Sequence, residues 1–212
     1  LGSFIDPLNA EFGWDRSSIS LAVLVLTFGV FLAGPVVGRL ADRFGAAAVG
    51  ALSLLAYGLI VLTMSLTLVS FASLLVAYFL VALAGAGSTP IVLVRPITAR
   101  FDRRRGIALG IALTGAGLAG FWVPIAVTEV TTAFGWQAGY WVIAACAFAA
   151  APVVWFGFGP YERQARVAGK VVADEPGLTL REARRTPAFW LATLLAIAMA
   201  LGIGGLIVHL IP

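Results

Sequence analysis

Side chains able to do acid–base or nucleophilic chemistry are scarce in this sequence. Of 212 residues, one is histidine (His209), one is cysteine (Cys146) and ten are Asp or Glu. A nucleophile needs a base within reach, and acid–base chemistry on a substrate needs positioned titratable groups. No nucleophile lies near a histidine, no carboxylate pair lies inside an apolar stretch, and no Gly-rich loop carries a phosphate-binding Lys. The sequence reads as a non-enzyme with no cofactor and no metal site. What remains are groups suited to binding and switching. Ser88 and Thr89 precede Pro90, in a stretch that also holds Gly85 and Gly87. Arg95 stands alone as a charge within a long apolar run. Gly38-Arg39-Leu40-Ala41-Asp42-Arg43-Phe44-Gly45 gathers an acid and two arginines between glycines.

The elements that must position these groups are helices in lipid. Hydrophobic residues make up 61% of the chain and charged residues 11%, against about 45–50% and about 25% in soluble domains. Mean hydropathy is +1.01. So few charges cannot dress a water-soluble surface of this size. Six apolar runs reach bilayer length: Ile19–Val37, Ala46–Thr67, Phe71–Ile97, Ile107–Thr128, Ala138–Phe158 and Ala188–Ile211. Backbone groups in lipid must be satisfied internally, so these runs read as helices. Barrel strands would be shorter and would alternate in polarity. The fold class is therefore an all-α membrane protein. Leu1–Pro7 reads as the last turns of an earlier helix, so the stub is counted as helix one and the complete runs as helices two to seven.

Basic residues set the orientation. Twelve lie in three loops: Arg39 and Arg43; Arg100, Arg103, Arg104 and Arg105; Arg163, Arg166, Lys170, Arg181, Arg184 and Arg185. Only Arg16 lies on the other side, with Asp6, Glu11, Asp15 and Glu129. The positive-inside rule places the three basic loops in the cytoplasm. The net charge of +4 is thus membrane topology, not a nucleic-acid surface, and the lipid bilayer is the chief partner. Phe12-Gly13-Trp14 and Phe134-Gly135-Trp136 fall at external turns, with Trp at headgroup depth, while Trp155 and Trp190 mark the inner interface. In the long loop 159–186, Thr179-Leu180-Arg181-Glu182 has capping-box spacing, and Thr186-Pro187 reads as the start of helix seven.

Within the spans, helix four is the most irregular. Pro90 cannot donate to the carbonyl of Ala86, which leaves that carbonyl and the hydroxyls of Ser88 and Thr89 to line a cavity or to sit in a packed kink. Arg95 lies seven residues beyond Ser88, on the same face of a continuous helix. It either snorkels to the inner headgroups, pairs with an acid such as Asp42, or contacts an anion. Helix five aligns Gly106, Gly110 and Gly117, a seam along which another helix can pack closely. Glu129 and His209 read as interface residues.

The Gly38–Gly45 stretch resembles the Gly-x-Leu-Ala-Asp-Arg-x-Gly signature between helices two and three of the major facilitator superfamily. The family usually follows it with two basic residues; here they are Ala46 and Ala47. A second stretch, Arg100-Phe101-Asp102-Arg103-Arg104-Arg105-Gly106-Ile107-Ala108-Leu109-Gly110-Ile111-Ala112-Leu113-Thr114-Gly115, looks like the monocarboxylate-porter signature entering helix five. Arg100 replaces its Tyr and Thr114 an Ala. The stretch Gly204–Pro212 is similar to helix seven of bacterial members of that group, which also includes oxalate–formate antiporters.

The resemblance implies a twelve-helix porter of two six-helix halves. Residues 1–159 would form the first half with helix one truncated, 160–186 the central cytoplasmic loop, and 187–212 the first helix of the second half. It further implies a secondary transporter of a small organic anion in a bacterial inner membrane, working by alternating access, with a proton as candidate coupling ion. Gly38, Arg39, Asp42, Arg43 and Gly45 would form its cytoplasmic gate. A porter for a drug or sugar is the alternative within the same fold, and a non-transporting scaffold or receptor the alternative outside it.

Overall fold

The computed structural model describes residues 2–100, 104–167, 180–191, 193–195 and 198. Residues 3–169 form one compact unit and residues 170–212 a second.

The first unit is all helix among its described residues. It runs α1 (Gly2–Phe12), α2 (Arg16–Phe44), α3 (Ala46–Thr67), α4 (Phe71–Gly85), a 3-10 turn (Ala86–Ser88), α5 (Pro90–Arg100), α6 (Arg105–Phe134) and α7 (Trp136–Val167). Five segments are long and apolar enough to cross a membrane: Arg16–Phe44, Ala46–Thr67, Phe71–Val94, Gly106–Phe134 and Trp136–Gln164. They match helices two to six of the sequence, and α3 has the expected bounds. Arg16–Phe44, Gly106–Phe134 and Trp136–Gln164 overrun their apolar cores, because a helix keeps its backbone bonds after it leaves the hydrocarbon.

The connections are short because glycine makes them. Gly13, Gly45 and Gly135 take φ values of 69°, 98° and 88°, where a Cβ would be strained. At the start of α4 a capping box closes instead: Ser73 N donates to Ser70 Oγ at 3.2 Å and Ser70 N to Ser73 Oγ at 3.0 Å.

The best-defined helix pair is α3 with α7, antiparallel from end to end. Trp141 Nε1 donates to Ser65 Oγ at 2.9 Å. Lower down, Gly58 faces the ring of Phe148 and Gly50 faces Val154. At the far end the carboxylate of Glu162 accepts from Ala46 N and Ala47 N. As the contacts move back along α3 from Ser65 to Ala46 they move forward along α7 from Trp141 to Glu162, as an antiparallel pair requires.

Buried residues form two clusters. Phe4, Leu8, Ile19, Leu74, Tyr78, Trp136 and Tyr140 belong to a large-residue cluster at the end where α1 meets α2. Ala33, Val37, Ala41, Ala46, Val49, Ala86 and Val92 form a small-residue cluster toward the Gly45 turn. Outward faces carry exposed Leu24, Phe28, Phe31, Val76, Phe121, Trp122 and Phe156, as suits side chains bathed in lipid.

Of the second unit, Leu180–Ala183 forms a short helix α8, and residues 187–191 are helical. Thr186 caps that helix as the sequence suggests, its Oγ1 accepting from Phe189 N at 3.4 Å. Thr179, and Gly202–Gly205 and His209 of helix seven, lie outside the described residues.

Candidate functional site

The charged motif occupies the last two turns of α2 and the Gly45 link into α3. Gly45 serves both helices. Its N–H closes α2 by donating to Ala41 O at 2.9 Å, and its carbonyl opens α3 by accepting from Val49 N at 3.2 Å. Ala41 and Gly45 face inward and are buried, Gly38 is half-buried, and Arg39, Asp42 and Arg43 are exposed. Arg39 Nη1 reaches Pro35 O at 3.4 Å, and the Arg43 guanidinium lies 5.3 Å from the centre of the Phe44 ring. The structure thus places the five motif residues along the end of α2 and its link to α3, with small residues inside and charges outside. Such an arrangement can hold a partner surface and release it.

Sequence reasoning missed Glu162. The first N–H groups of α3 have no partner within the helix, and Gly45 has no side chain to cap them. Glu162 fills that role from 116 residues away, with Oε1 at 2.9 Å from Ala46 N and Oε2 at 3.2 Å from Ala47 N. A carboxylate suits this place because the helix N-terminus carries partial positive charge. No local signal marked it, because Asp174, Glu175 and Glu182 share the same basic stretch and its partners are backbone amides distant in sequence.

Ser88 and Thr89 lie where helix four breaks. Within this span the helix is broken into α4 and α5 by the 3-10 turn and Thr89. Thr89 is extended, with ψ of 158°, because the residue before proline is driven out of the helical region. The expected free groups are engaged. Ala86 O accepts from Thr89 N at 3.3 Å and from Thr89 Oγ1 at 2.7 Å, while Ser88 Oγ donates to Gly85 O at 2.7 Å. The break leans on α3: a Cβ on Gly87 would lie 2.1 Å from Ser53 Oγ. It also cancels the argument that put Arg95 on the face of Ser88, since seven-residue spacing marks one face only along an unbroken helix. Arg95 belongs to α5, and its side chain lies outside the described residues.

The glycine seam is placed differently from expectation. Gly106, Gly110 and Gly117 are exposed, and a Cβ added at any of them meets nothing within 4 Å. Among the described residues α6 packs near its end, through buried Val127 and Thr131, and the stripe joins no two helices. The lead-in Phe101-Asp102-Arg103 lies outside the described residues.

A cavity of about 280 Å³ lies inside the large-residue cluster, lined by Phe4, Val23, Leu26, Tyr57, Val61, Met64, Tyr78, Val81, Tyr140 and Ile143. The Tyr78 and Tyr140 hydroxyls approach to 3.5 Å on its wall. Its lining is aromatic and aliphatic, and neither Ser88 nor Thr89 contributes to it.

These features agree with what the chain is similar to. It is 35% identical over 145 residues to the MFS-type transporter pynF of Aspergillus niger, covering 64% of this chain and 30% of that protein. It is 31% identical over 127 residues to the MFS transporter asaE of Aspergillus flavus, covering 58% of this chain and 28% of that protein. The chain thus spans about three tenths of the length of these curated relatives. Both are fungal, which lends no support to a bacterial source. The family model described as Major Facilitator Superfamily matches residues 1–212. With its apolar helices and its turn at Gly38–Gly45, this multi-pass integral membrane chain belongs to the major facilitator superfamily.

Proposed function

We propose that the chain is part of a secondary transporter that moves a small organic anion across the plasma membrane by alternating access, with a proton as candidate coupling ion. The observation that carries the transport reading is the motif turn: buried Ala41 and Gly45 inside, and exposed Arg39, Asp42 and Arg43 outside. Charged groups on a small-residue turn can trade partners as two halves of a protein rock. The arginine-rich loops put this end in the cytoplasm. The anion is favoured by the likeness of Arg100–Gly115 to the monocarboxylate-porter signature.

The donors for an anion narrow to Arg95. The hydroxyl protons of Ser88 and Thr89 are spent on Gly85 O and Ala86 O, so these two residues shape the break rather than grip a carboxylate. Gly106, Gly110 and Gly117 offer an open face against which another helix of the complete transporter packs.

The test is uptake by the full-length protein in liposomes, using labelled lactate and oxalate beside glucose and a cationic dye. Saturable uptake of the organic acids alone is expected. Arg95→Gln should abolish it and Arg95→Lys retain part, because Lys keeps the charge but not the planar fork. Uptake of glucose or dye alone would reassign the substrate class, and equal uptake by parent and both variants would remove Arg95 from the site.

A further inference from the structure

Glu162 reaches across the fold from α7 to the backbone of α3. Its carboxylate meets Ala46 N at 2.9 Å and Ala47 N at 3.2 Å, directly after the charged motif. Two further facts bear on this contact. Gly45 cannot cap α3 itself, so without Glu162 these two donors have no partner on their own helix. Ala46 and Ala47 are 4% and 2% exposed, so bulk water is a poor substitute for the carboxylate.

The other end of the same helix pair is pinned by Trp141 Nε1 on Ser65 Oγ at 2.9 Å. Between the two pins, Gly50 and Gly58 let α7 approach closely, through Val154 and Phe148. A helix pair held at both ends and in close contact between them moves as one body.

We propose that Glu162 is a positioning residue for the gate: seated on the first amides of α3, it ties the Gly38–Gly45 turn to the end of α7. The turn then travels with α7 when the molecule changes state, and Arg39, Asp42 and Arg43 arrive together at whatever surface they engage. This rests on the proposed gate reading of the motif.

The experiment uses the full-length protein in liposomes, carrying Phe44→Cys in a Cys146→Ser background. Two quantities are followed: hydrogen exchange at Ala46 and Ala47, and the rate at which an impermeant maleimide labels position 44 from the arginine-rich side. Glu162→Ala should speed exchange at the two amides at least tenfold and change the labelling rate several-fold, while exchange in the middle of α3 stays at the parent value. Glu162→Gln keeps an acceptor oxygen and should restore most of both. Unchanged exchange in Glu162→Ala would overturn the contact. Faster exchange with unchanged labelling would reduce Glu162 to a helix cap, and loss of folding in both variants would assign it to folding alone. Asp42→Asn separates the two readings. If it leaves uptake unchanged while Glu162→Ala behaves as stated, the gate fails and the tie stands; slowed uptake with unchanged exchange in Glu162→Ala gives the reverse.

Discussion

The two ends of the first unit are built from different materials. At one end Phe71, Trp14, Phe12, Trp136, Tyr140 and Phe4 touch in succession, with ring centres 4.2 to 5.9 Å apart. They join α1, α4 and α7 and the turns between them. At the other end the buried side chains are Ala33, Val37, Ala41, Ala46, Val49, Ala86 and Val92, and polar bonds finish the contacts. Dispersion grows with the number of atoms in contact, so the chain of rings resists separation. Small side chains offer little contact area and few rotamers to rearrange. The charged motif sits at the end where the packing is easiest to rearrange. The proposed gate lies at that end.

This contrast makes the aromatic end the place where deletion costs most. Tyr140 stacks on Phe4 at 4.2 Å and meets the edge of Trp136 at 5.9 Å. Tyr140→Ala should lower stability by about 3 kcal/mol through the cavity it leaves, read as a fall in the unfolding midpoint in detergent. Tyr140→Phe keeps the ring and should lose far less. Similar losses for the two variants would show that the hydroxyl, not the ring, holds this end.

At the small-residue end the danger is the opposite one, addition. Gly87→Val would drive a branched side chain into Ser53 Oγ and Val49, which lie 2.1 and 3.0 Å from the ideal Cβ. The expected loss is about 1–3 kcal/mol, the usual range for overpacking. Gly110→Val, where nothing lies within 4 Å, should leave the midpoint of the 212-residue chain close to the parent value. If Gly110→Val is the more damaging, the glycines of α6 are in contact and the comparison between the two ends must be redrawn.

How far this was legible in the sequence depends on the range of the physics involved. Apolar length is local, so α3 is bounded at Ala46 and Thr67 as the sequence indicates, and five of its six apolar runs are spans among the described residues. Caps and turns are local too, which is why Thr186 could be read as an N-cap and Phe-Gly-Trp as a turn. Helix four shows the limit. Pro90 announced a disturbance, but whether the helix would kink or break at Thr89 was not written in the local sequence. Glu162 was beyond reach altogether, because its partners are backbone amides 116 residues away and an amide leaves no mark in a sequence. The charged motif was recognised by its order of residues; its division into buried Ala41 and Gly45 and exposed Arg39, Asp42 and Arg43 needed the turn itself.

A smaller effect tests whether α3 and α7 are pinned at the aromatic end as well. Trp141 Nε1 donates to Ser65 Oγ, and Ser65 is 4% exposed. Ser65→Ala and Trp141→Phe should each lower stability by about 1 kcal/mol, the net value of one hydrogen bond. The double variant should lose little more than either single one, since both remove the same bond. Strict additivity would mean that the two residues act separately and the pin is not real.

The smallest effect concerns the aromatic end's surface, where polar bonds decorate the packing instead of completing it. Asp15 stands before α2, and the hydroxyls of Ser17 and Ser18 donate to its carboxylate. Those two bonds favour the charged form, Ser17 more than Ser18, and hold the group below its ordinary value of 3.8. The folded protein therefore gives up this proton more readily than the unfolded chain. Its contribution to stability is complete above the unfolded value and is lost as pH falls through the folded one. The gap in unfolding midpoint between the parent and Asp15→Asn should be constant from neutral pH to about pH 5 and shrink below about pH 4. The neighbouring Asp6–Arg16 pair, at 3.1 Å, is present in both proteins and cancels in the difference. Because Asp15 is fully exposed, solvent screens its bonds, and the gap should be smaller than that of any variant above. A gap that persists unchanged to pH 3, or that rivals the loss in Tyr140→Ala, would mean that surface charge helps to hold the aromatic end, and the division of labour between the two ends would fail there first.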